Sequence, residues 1–214
     1  MKSVPTKVIT GPKCRSSFMY VNKLEKDDND VNKCRTQVLI PKSDTKTVNA
    51  MKAAIDEASM VKFGKKALKT SSKFNYPLRD GDQELEDEEI EGEHYKGHYF
   101  LSATAYKVPG LVDKSNTRIE DPDEREEVCV SGNHFRFSLT VKGFDNESKG
   151  IRVLLNNLMF IKEGERLDGG MKAEDEFEAF EDSDDDDVVV DDDDDDDDAP
   201  RKSKRKSRRK GRRG

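Results

Sequence analysis

The residues of this sequence that could do chemistry are aromatic and basic side chains interleaved at short spacing. Aromatic faces stack on nucleobases and cations follow phosphates, and a groove that binds single-stranded nucleic acid without sequence preference needs both. Most of these side chains fall in segments that predict strands, which would hold them on a common surface. The candidate nucleic-acid-binding residues are Arg15, Phe18, Tyr20, Tyr76, Arg79, Lys96, Tyr99, Arg136 and Lys142.

Some of the aromatic residues are expected in the core instead. In residues 134–142 apolar and polar side chains alternate, which is typical of a half-buried strand, so Phe135 and Phe137 are predicted to be buried. Arg136 and Lys142 lie on the opposite face, where they either contact nucleic acid or form an ordinary solvated surface. The pattern does not assign the aromatic residues of 95–100 individually, but at least one of them is expected to be buried.

No catalytic or metal-binding motif is found in the sequence. His94 and His98 are four residues apart but distant from Cys129 and His134, and zinc sites have tighter spacing. The sequence contains no Walker A, GxSxG or GxGxxG motif. We therefore expect a protein that is not an enzyme and uses no cofactor and no metal. A metal-dependent nuclease that uses carboxylates near PLRDGD (77–82) is a competing hypothesis.

The elements that would position the candidate residues are mostly short strands. A helix is predicted after an N-cap at Ser43 or Asp44, and Gly64 is its predicted C-cap. The acidic segments 82–93 and 120–127 are expected to be exposed loops. Strands are predicted at 14–21, 33–40, 94–103, 134–142 and 151–161, with bulges at Gly97 and at Asn156 and Asn157. The fold class is therefore mainly β: an OB-fold-like five-stranded barrel with one helix between early strands and large charged loops.

Charge is distributed very unevenly along the chain. Residues 174–198 carry 18 acidic residues and no basic ones, and residues 201–214 carry ten Lys or Arg and no acid. Residues 1–173 hold 28 acidic and 29 basic residues, so the body is near neutral and the formal net charge of −7 comes from the C-terminal part. Like charges repel and little apolar surface offsets the ordering entropy, so both charged segments are expected to be disordered. We expect three parts: a binding domain at 1–173, an acidic tail at 174–200 and a basic end at 201–214.

The remaining composition indicates a reducing compartment. Cys14, Cys34 and Cys129 are odd in number, far apart and without a CxxC pair, which argues against a disulfide scaffold. No apolar run of 18 residues predicts a membrane span, and no secretory signal is expected.

Several blocks occur in the order found in one known family. The blocks are FMYVNKLE (18–25), LIPKSDTKTVNAMKAAI (39–55), PLRDGD (77–82), YKGHYFLSA (95–103), KGIRVLLNN (149–157) and EGERLDGG (163–170). Over about residues 18–180 the chain resembles the bacteriophage single-stranded DNA-binding proteins, a family formerly of unknown function. The resemblance implies an OB fold with an acidic C-terminal tail.

The resemblance also implies a role in phage DNA replication and recombination, in the cytoplasm of the infected host cell. It implies coating of single strands, contacts of the tail with the phage DNA polymerase and helicase-primase, and a homodimer. The end of the chain departs from the pattern, because Phe177 and Phe180 precede the aspartates and a basic peptide comes last. That basic peptide is either a nucleic-acid arm, a partner for the aspartates or a nuclear-import signal. The alternative function is a histone-chaperone-like acidic protein that binds basic partners.

Overall fold

The computed structural model describes residues 6–65, 74–146 and 148–167. The chain divides into two units, Met1–Lys172 and Ala173–Gly214, and the whole second unit lies outside the described residues. The predicted acidic tail and basic end therefore also lie outside them. The strands are β1 (Lys7–Ile9), β2 (Arg15–Lys26), β3 (Asn32–Pro41), β4 (Phe74–Asn75), β5 (Arg79–Asp80), β6 (His98–Ala105), β7 (Gly110–Val112), β8 (His134–Asp145) and β9 (Lys149–Lys162). The helices are α1 (Thr45–Phe63), α2 (Gly81–Glu86) and α3 (Pro122–Val128).

Five of the strands close into a barrel. The order is β2-β3-β6-β9-β8, and β8 returns to β2 through the pair Arg15 and His134. All neighbours are antiparallel except β6 and β9, which pair in parallel over only two positions, Ala103–Thr104 and Val153–Leu154. This is the partly open five-stranded barrel of an OB fold. The predicted fold class is confirmed.

The barrel interior is filled by the apolar side of each strand. Phe135, Phe137, Leu139 and Val141 of β8 are buried, as their alternation predicts. Their polar neighbours on β8 are partly buried, except Lys142, which is exposed. The inner and outer faces of the barrel are thus set by the period-two pattern of the sequence. The bulge predicted in β9 is also present, because Leu139 pairs with Leu155 while Ser138 pairs with Asn157.

Helix α1 packs on the barrel with its apolar face. Met51, Ala54 and Ile55 are fully buried. The Asp44 side chain accepts from the backbone N–H of Thr47 at 3.1 Å, and Gly64 ends the helix with a left-handed φ of 68°. Both predicted caps are confirmed.

The two acidic segments predicted as exposed loops each contain a short helix, so that prediction is wrong in part. Asp80 caps α2 and Asp121 caps α3, each accepting two backbone N–H groups. Acidic residues also fill the first turn of both helices, where the helix dipole favours them. In segments this rich in acidic residues, the sequence pattern does not distinguish the capping residues Asp80 and Asp121 from the other acids.

The strand predicted at 94–103 begins four residues later than expected. Residues Glu93–Tyr95 form a single 3-10 turn, and β6 starts at His98. Gly97 has a φ of 70° and lies in the turn before the strand, so it is not a bulge. The left-handed conformation, which glycine adopts without strain, redirects the chain into β6.

Candidate nucleic-acid interface

The outer face of β2, β3 and β6 forms a polar surface with few apolar side chains. Tyr20 pairs with Arg35, which pairs with Thr104 on the other side. One step along, Gln37 of β3 pairs with Ser102 of β6. Because side chains alternate across a strand, these residues share the face turned away from the core.

A bulge in β2 places two aromatic rings on this face. The β2–β3 register shifts between Ser17 and Tyr20, and Phe18 has a φ of 49°, which is unusual for a residue other than glycine. The backbone N–H of Met19 donates to Oγ of Ser131 at 3.1 Å. Phe18 and Tyr20 remain 52% and 47% exposed, although both carry large apolar rings. Backbone strain that keeps apolar rings in solvent is typical of a functional site.

The two rings border a hollow of about 500 Å³, which we call the platform hollow. The guanidinium of Arg35 lies 5.4 Å from the centre of the Tyr20 ring. Within the described residues Arg35 has no carboxylate partner, whereas Lys33 is bound to Asp27 at 2.6 Å. Arg35 therefore contributes to the platform hollow a positive charge that no described carboxylate neutralises. The lining residues are Phe18, Tyr20, Lys33, Arg35, Thr36, Gln37, Ser102 and Thr104.

A second hollow of about 310 Å³ continues the surface toward β9, and we call it the β9 hollow. It shares Ser102 and Thr104 with the platform hollow. Tyr106 is 54% exposed at its edge. The two hollows thus form one continuous surface across four strands of the barrel. The lining residues of the β9 hollow are Asn75, Tyr76, Pro77, Arg79, Ser102, Thr104, Tyr106, Ile151, Arg152, Val153 and Leu154.

Four of the candidate residues from the sequence lie on this surface, and a fifth lies beside it. Phe18 and Tyr20 line the platform hollow, and Tyr76 and Arg79 line the β9 hollow. Burial raises the pKa of the Tyr76 hydroxyl, so this group stays protonated. The fifth residue, Lys142, is exposed on β8 and pairs with a residue of the β9 hollow across the strands.

Arg79 is a candidate whose charge is already neutralised. Its Nε donates to a carboxylate oxygen of Glu84 at 2.7 Å, and a second nitrogen of its guanidinium binds the other carboxylate oxygen. The guanidinium also lies 4.8 Å from the centre of the Phe100 ring. This bidentate pair reduces the attraction that Arg79 offers to a phosphate.

Two candidates, Arg15 and Arg136, make contacts within the protein away from the surface. Arg15 donates from Nε to the carbonyl oxygen of Gly132 at 2.9 Å and from Nη2 to that of Glu165 at 2.6 Å. The Arg136 guanidinium donates to the carbonyl oxygen of Thr10 at 3.1 Å. Hydrogen bonds of this kind hold segments of the backbone together.

Tyr99 and Lys96 lie toward the start of β6. Tyr99 packs against the core, and the ammonium groups of Lys42 and Lys52 lie 5.1 and 4.9 Å from its ring centre. Lys96 is exposed in the turn before the strand, 4.0 Å from a carboxylate oxygen of Glu93. Neither residue lines either hollow.

Sequence reasoning missed Arg35, Tyr106 and Arg152. A signal for Arg35 was present, because Lys33, Arg35 and Gln37 alternate with buried residues of β3. Arg152 is a single cation inside an apolar strand, and its neighbours from β4 and β5 are distant in sequence. Only the folded barrel brings those residues together.

The described residues contain no group of three or more His, Cys, Asp or Glu side chains placed to hold a metal ion. Burial raises the pKa of the Cys14 thiol to about 12 and that of Cys129 to about 11, so both thiols stay protonated near neutral pH. Of the helices that the structure describes, none has the length and apolar character to cross a membrane.

The chain is similar to phage proteins in sequence and in structure. Residues 6–189 match the family model described as Enterobacter phage Enc34, ssDNA-binding protein. The chain is 31% identical over 144 residues to protein p50 of Acyrthosiphon pisum secondary endosymbiont phage 1, covering 64% of this chain and 73% of that protein.

Two solved structures share the fold. One is the single-stranded DNA-binding protein from bacteriophage Enc34 in complex with ssDNA, with a TM-score of 0.65, 17% identity, and coverage of 76% of this chain and 89% of that chain. The other is a structure of the same phage protein described without DNA, with a TM-score of 0.62, 16% identity, and coverage of 81% and 90%. At this identity the likeness concerns the fold of the barrel.

Proposed function

This chain belongs to the single-stranded DNA-binding protein family described from Enterobacter phage Enc34, and from that premise we propose that it coats single-stranded DNA through the platform hollow. The observation that carries this proposal is the exposed pair Phe18 and Tyr20 beside Arg35, which has no carboxylate partner in the part of the chain that the structure describes. Such a pair offers stacking faces to bases and a cation to the phosphates between them. The protein then acts by binding, without catalysing a reaction.

The proposed mechanism separates affinity into two parts. Each base stacked on Phe18 or Tyr20 contributes roughly 1–3 kcal/mol, independently of base identity. The logarithm of the binding constant falls linearly with the logarithm of the salt concentration. Each phosphate neutralised on a single strand steepens this slope by about 0.7. Stacking is thus expected to persist at high salt while the phosphate contribution declines.

The C-terminal charges supply a proposed regulation. The aspartates of residues 191–198 have a high negative charge density and compete with DNA for the platform hollow, or they recruit the phage DNA polymerase and helicase-primase. The basic end at 201–214 either pairs with these aspartates or adds phosphate contacts. We propose that the protein acts in replication and recombination inside the infected host cell, as a homodimer.

A salt titration that compares single-stranded DNA, duplex DNA and RNA tests the central proposal. The wild-type protein is expected to prefer single strands. A double variant, Phe18→Ala with Tyr20→Ala, is expected to bind DNA more weakly at every salt concentration with nearly the same salt dependence. Equal binding by the double variant would refute the platform. Binding of polycations in preference to single-stranded oligonucleotides would favour the acidic-chaperone alternative.

The tail proposal has its own pair of truncations. Removal of residues 174–214 is expected to strengthen DNA binding at low salt if the aspartates compete. Truncation after Pro200 removes only the basic end and separates its effect from that of the aspartates. Unchanged binding after the longer truncation would contradict the competition.

A further inference from the structure

The β9 hollow adjoins the platform hollow but has no role in the function proposed above, and the side chains that line it favour an anionic ligand. Residues of β4 and β5 form one wall, pairing with β9 at Phe74 and Asn75 and with β6 at Arg79 and Asp80. The floor is the short parallel contact between β6 and β9. This wall encloses the short β6–β9 contact on one side, and we call the resulting concave shape of the β9 hollow the bowl.

The wall lies unusually close to β9. A Cβ atom at Gly150 would stand 2.6 Å from Cβ of Asn75 and 2.6 Å from its carbonyl oxygen. Only glycine at this position lets the two strands approach, so the bowl depends on that residue. The wall and β9 are therefore in close backbone contact at Asn75 and Gly150.

Two arginines line the β9 hollow: Arg79 is neutralised by Glu84, and Arg152 has no carboxylate partner among the described residues. No described Asp or Glu lines the β9 hollow, nor the adjoining hollow of about 410 Å³ between Asn75, Phe144 and Arg152. Arg152 stands between the two hollows, and its guanidinium lies 5.9 Å from the centre of the Phe144 ring. Within the described part of the chain Arg152 forms no salt bridge, and Lys142 opposite it forms none either. A cation that is held against a ring and has no carboxylate partner among the described residues is well placed to receive a phosphate.

Aromatic faces accompany this charge. Tyr76 packs against the core from one wall of the bowl, and Tyr106 is 54% exposed at its edge. Hydroxyl and amide groups of Ser102, Thr104 and Asn75 complete the lining. The volume of about 310 Å³ is at the lower limit of small-ligand sites, which begin at roughly 300 Å³.

We propose that the β9 hollow is a second nucleotide-binding subsite, in which Arg152 receives a phosphate and Tyr106 stacks on a base. This inference rests on the proposed function, because the ligand is the same DNA strand continuing from the platform hollow past Ser102 and Thr104. A strand too short to reach from one hollow to the other occupies only the platform. A longer strand gains the contacts of both.

The test compares Arg152→Ala and Tyr106→Ala with the wild-type protein on oligothymidines of about 4 and about 16 nucleotides, the range of site sizes of OB folds. On the longer strand, Tyr106→Ala is expected to lower affinity about tenfold, the loss of one stacked base. Arg152→Ala is expected to lower affinity and to reduce the magnitude of the salt slope by about 0.7, the loss of one phosphate contact. Affinity for the shorter strand is expected to remain within about twofold of the wild-type value in both variants, because the platform is intact.

Two control variants separate this effect from general loss of charge. Arg118→Ala removes an exposed arginine that pairs with Glu120 at 3.0 Å, and it is expected to leave both affinities unchanged. Arg152→Lys keeps the charge and is expected to retain the wild-type salt slope.

An unchanged affinity and slope for Arg152→Ala on the longer strand would overturn the subsite, as would equal losses on both strand lengths. These outcomes leave the platform standing, because the wild-type protein still binds. Failure of the wild-type protein to bind either strand would overturn the platform and the subsite together.

Discussion

Substitutions of Phe18 by alanine and by glycine are expected to differ in stability but to weaken DNA binding equally. Its φ of 49° lies in the left-handed region, which costs a residue with a side chain about 1–2 kcal/mol relative to the right-handed conformation. Glycine avoids this cost but loses about 0.5–1 kcal/mol through the entropy of the unfolded chain. At an ordinary strand position glycine is less stabilising than alanine. A Phe18→Gly variant that is more stable than Phe18→Ala would therefore indicate the positive φ of the bulge.

The magnitudes follow from the exposure of the ring. Phe18 is 52% exposed, so truncation forfeits about half of the 1.5–3 kcal/mol that full burial provides, or roughly 1 kcal/mol. Phe18→Ala keeps the backbone strain and is expected to lower the free energy of unfolding by ~1 kcal/mol. Phe18→Gly loses the same contacts but relieves the strain, and is expected to be more stable than Phe18→Ala by ~0.5–1 kcal/mol.

Binding is expected to fall equally in the two variants, since neither presents a ring. The loss of one stacking face corresponds to about 1–3 kcal/mol, or roughly 5- to 150-fold in affinity for single-stranded DNA. Urea unfolding followed by circular dichroism measures the stability, and fluorescence anisotropy with labelled oligothymidine measures the affinity. A Phe18→Ala protein as stable as Phe18→Gly, or more stable, would refute the strained bulge. Full DNA affinity in either variant would refute the platform.

Three further predictions concern the barrel itself. The hydrogen bond from Lys42 holds the pKa of Asp82 below its ordinary value, so the stabilising effect is complete above that ordinary value, near 3.8, and is lost as the pH falls through the lowered one. Asp82→Asn should therefore narrow the stability difference between pH 5 and pH 2, which urea unfolding at the two pH values measures. Native Cys14 and Cys129 should resist iodoacetamide at pH 8 and react only after unfolding, as mass spectrometry can follow, because burial raises their pKa values to about 12 and about 11. Gly132→Ala should destabilise the fold by ~1–3 kcal/mol, as measured by urea unfolding. The φ of Gly132 is 107°, and the added Cβ would lie 1.9 Å from the backbone carbonyl oxygen of Glu165.

Each of these predictions has a contradicting result. An unaltered pH dependence in the Asp82→Asn protein would show that the ion pair with Lys42 is absent in solution. Labelling of the native cysteines at the rate of free thiols would show that the barrel opens readily. A Gly132→Ala protein with wild-type stability would mean that residues 163–167 are not held against the loop at residue 132.

The barrel was largely predictable from the sequence because its strands obey simple periodicity. The alternation around Phe135 and Phe137 defined the inner face, and the caps of α1 were evident from Asp44 and Gly64. The bulge at Phe18 was not predictable, because phenylalanine is not a residue that favours a positive φ. The bulge depends on Ser131, which is more than 100 residues distant in sequence and adjacent only in the fold.

The candidate site was predictable in kind but only partly in its members. Aromatic and basic composition indicated stacking and phosphate contacts, and Phe18 and Tyr20 are indeed exposed. Composition could not indicate that Arg15 and Arg136 donate to backbone carbonyl oxygens, because those partners come from other parts of the chain. An arginine on a strand is available to DNA only if the fold leaves its guanidinium without a partner.

The same reasoning explains how a near-neutral body can bind a polyanion. Residues 1–173 contain nearly equal numbers of acids and bases, so net charge predicts little attraction. The fold, however, pairs its charges selectively: Lys33 and Arg79 are neutralised by carboxylates, while Arg35 and Arg152 lie against aromatic rings without a described acidic partner. An arginine against a ring keeps its full charge and is held in a fixed orientation, which lowers the entropy lost when it binds a phosphate. The arginines of this surface that lack a described acidic partner therefore result from where the fold places its acids, and a count of charges along the sequence cannot reveal them.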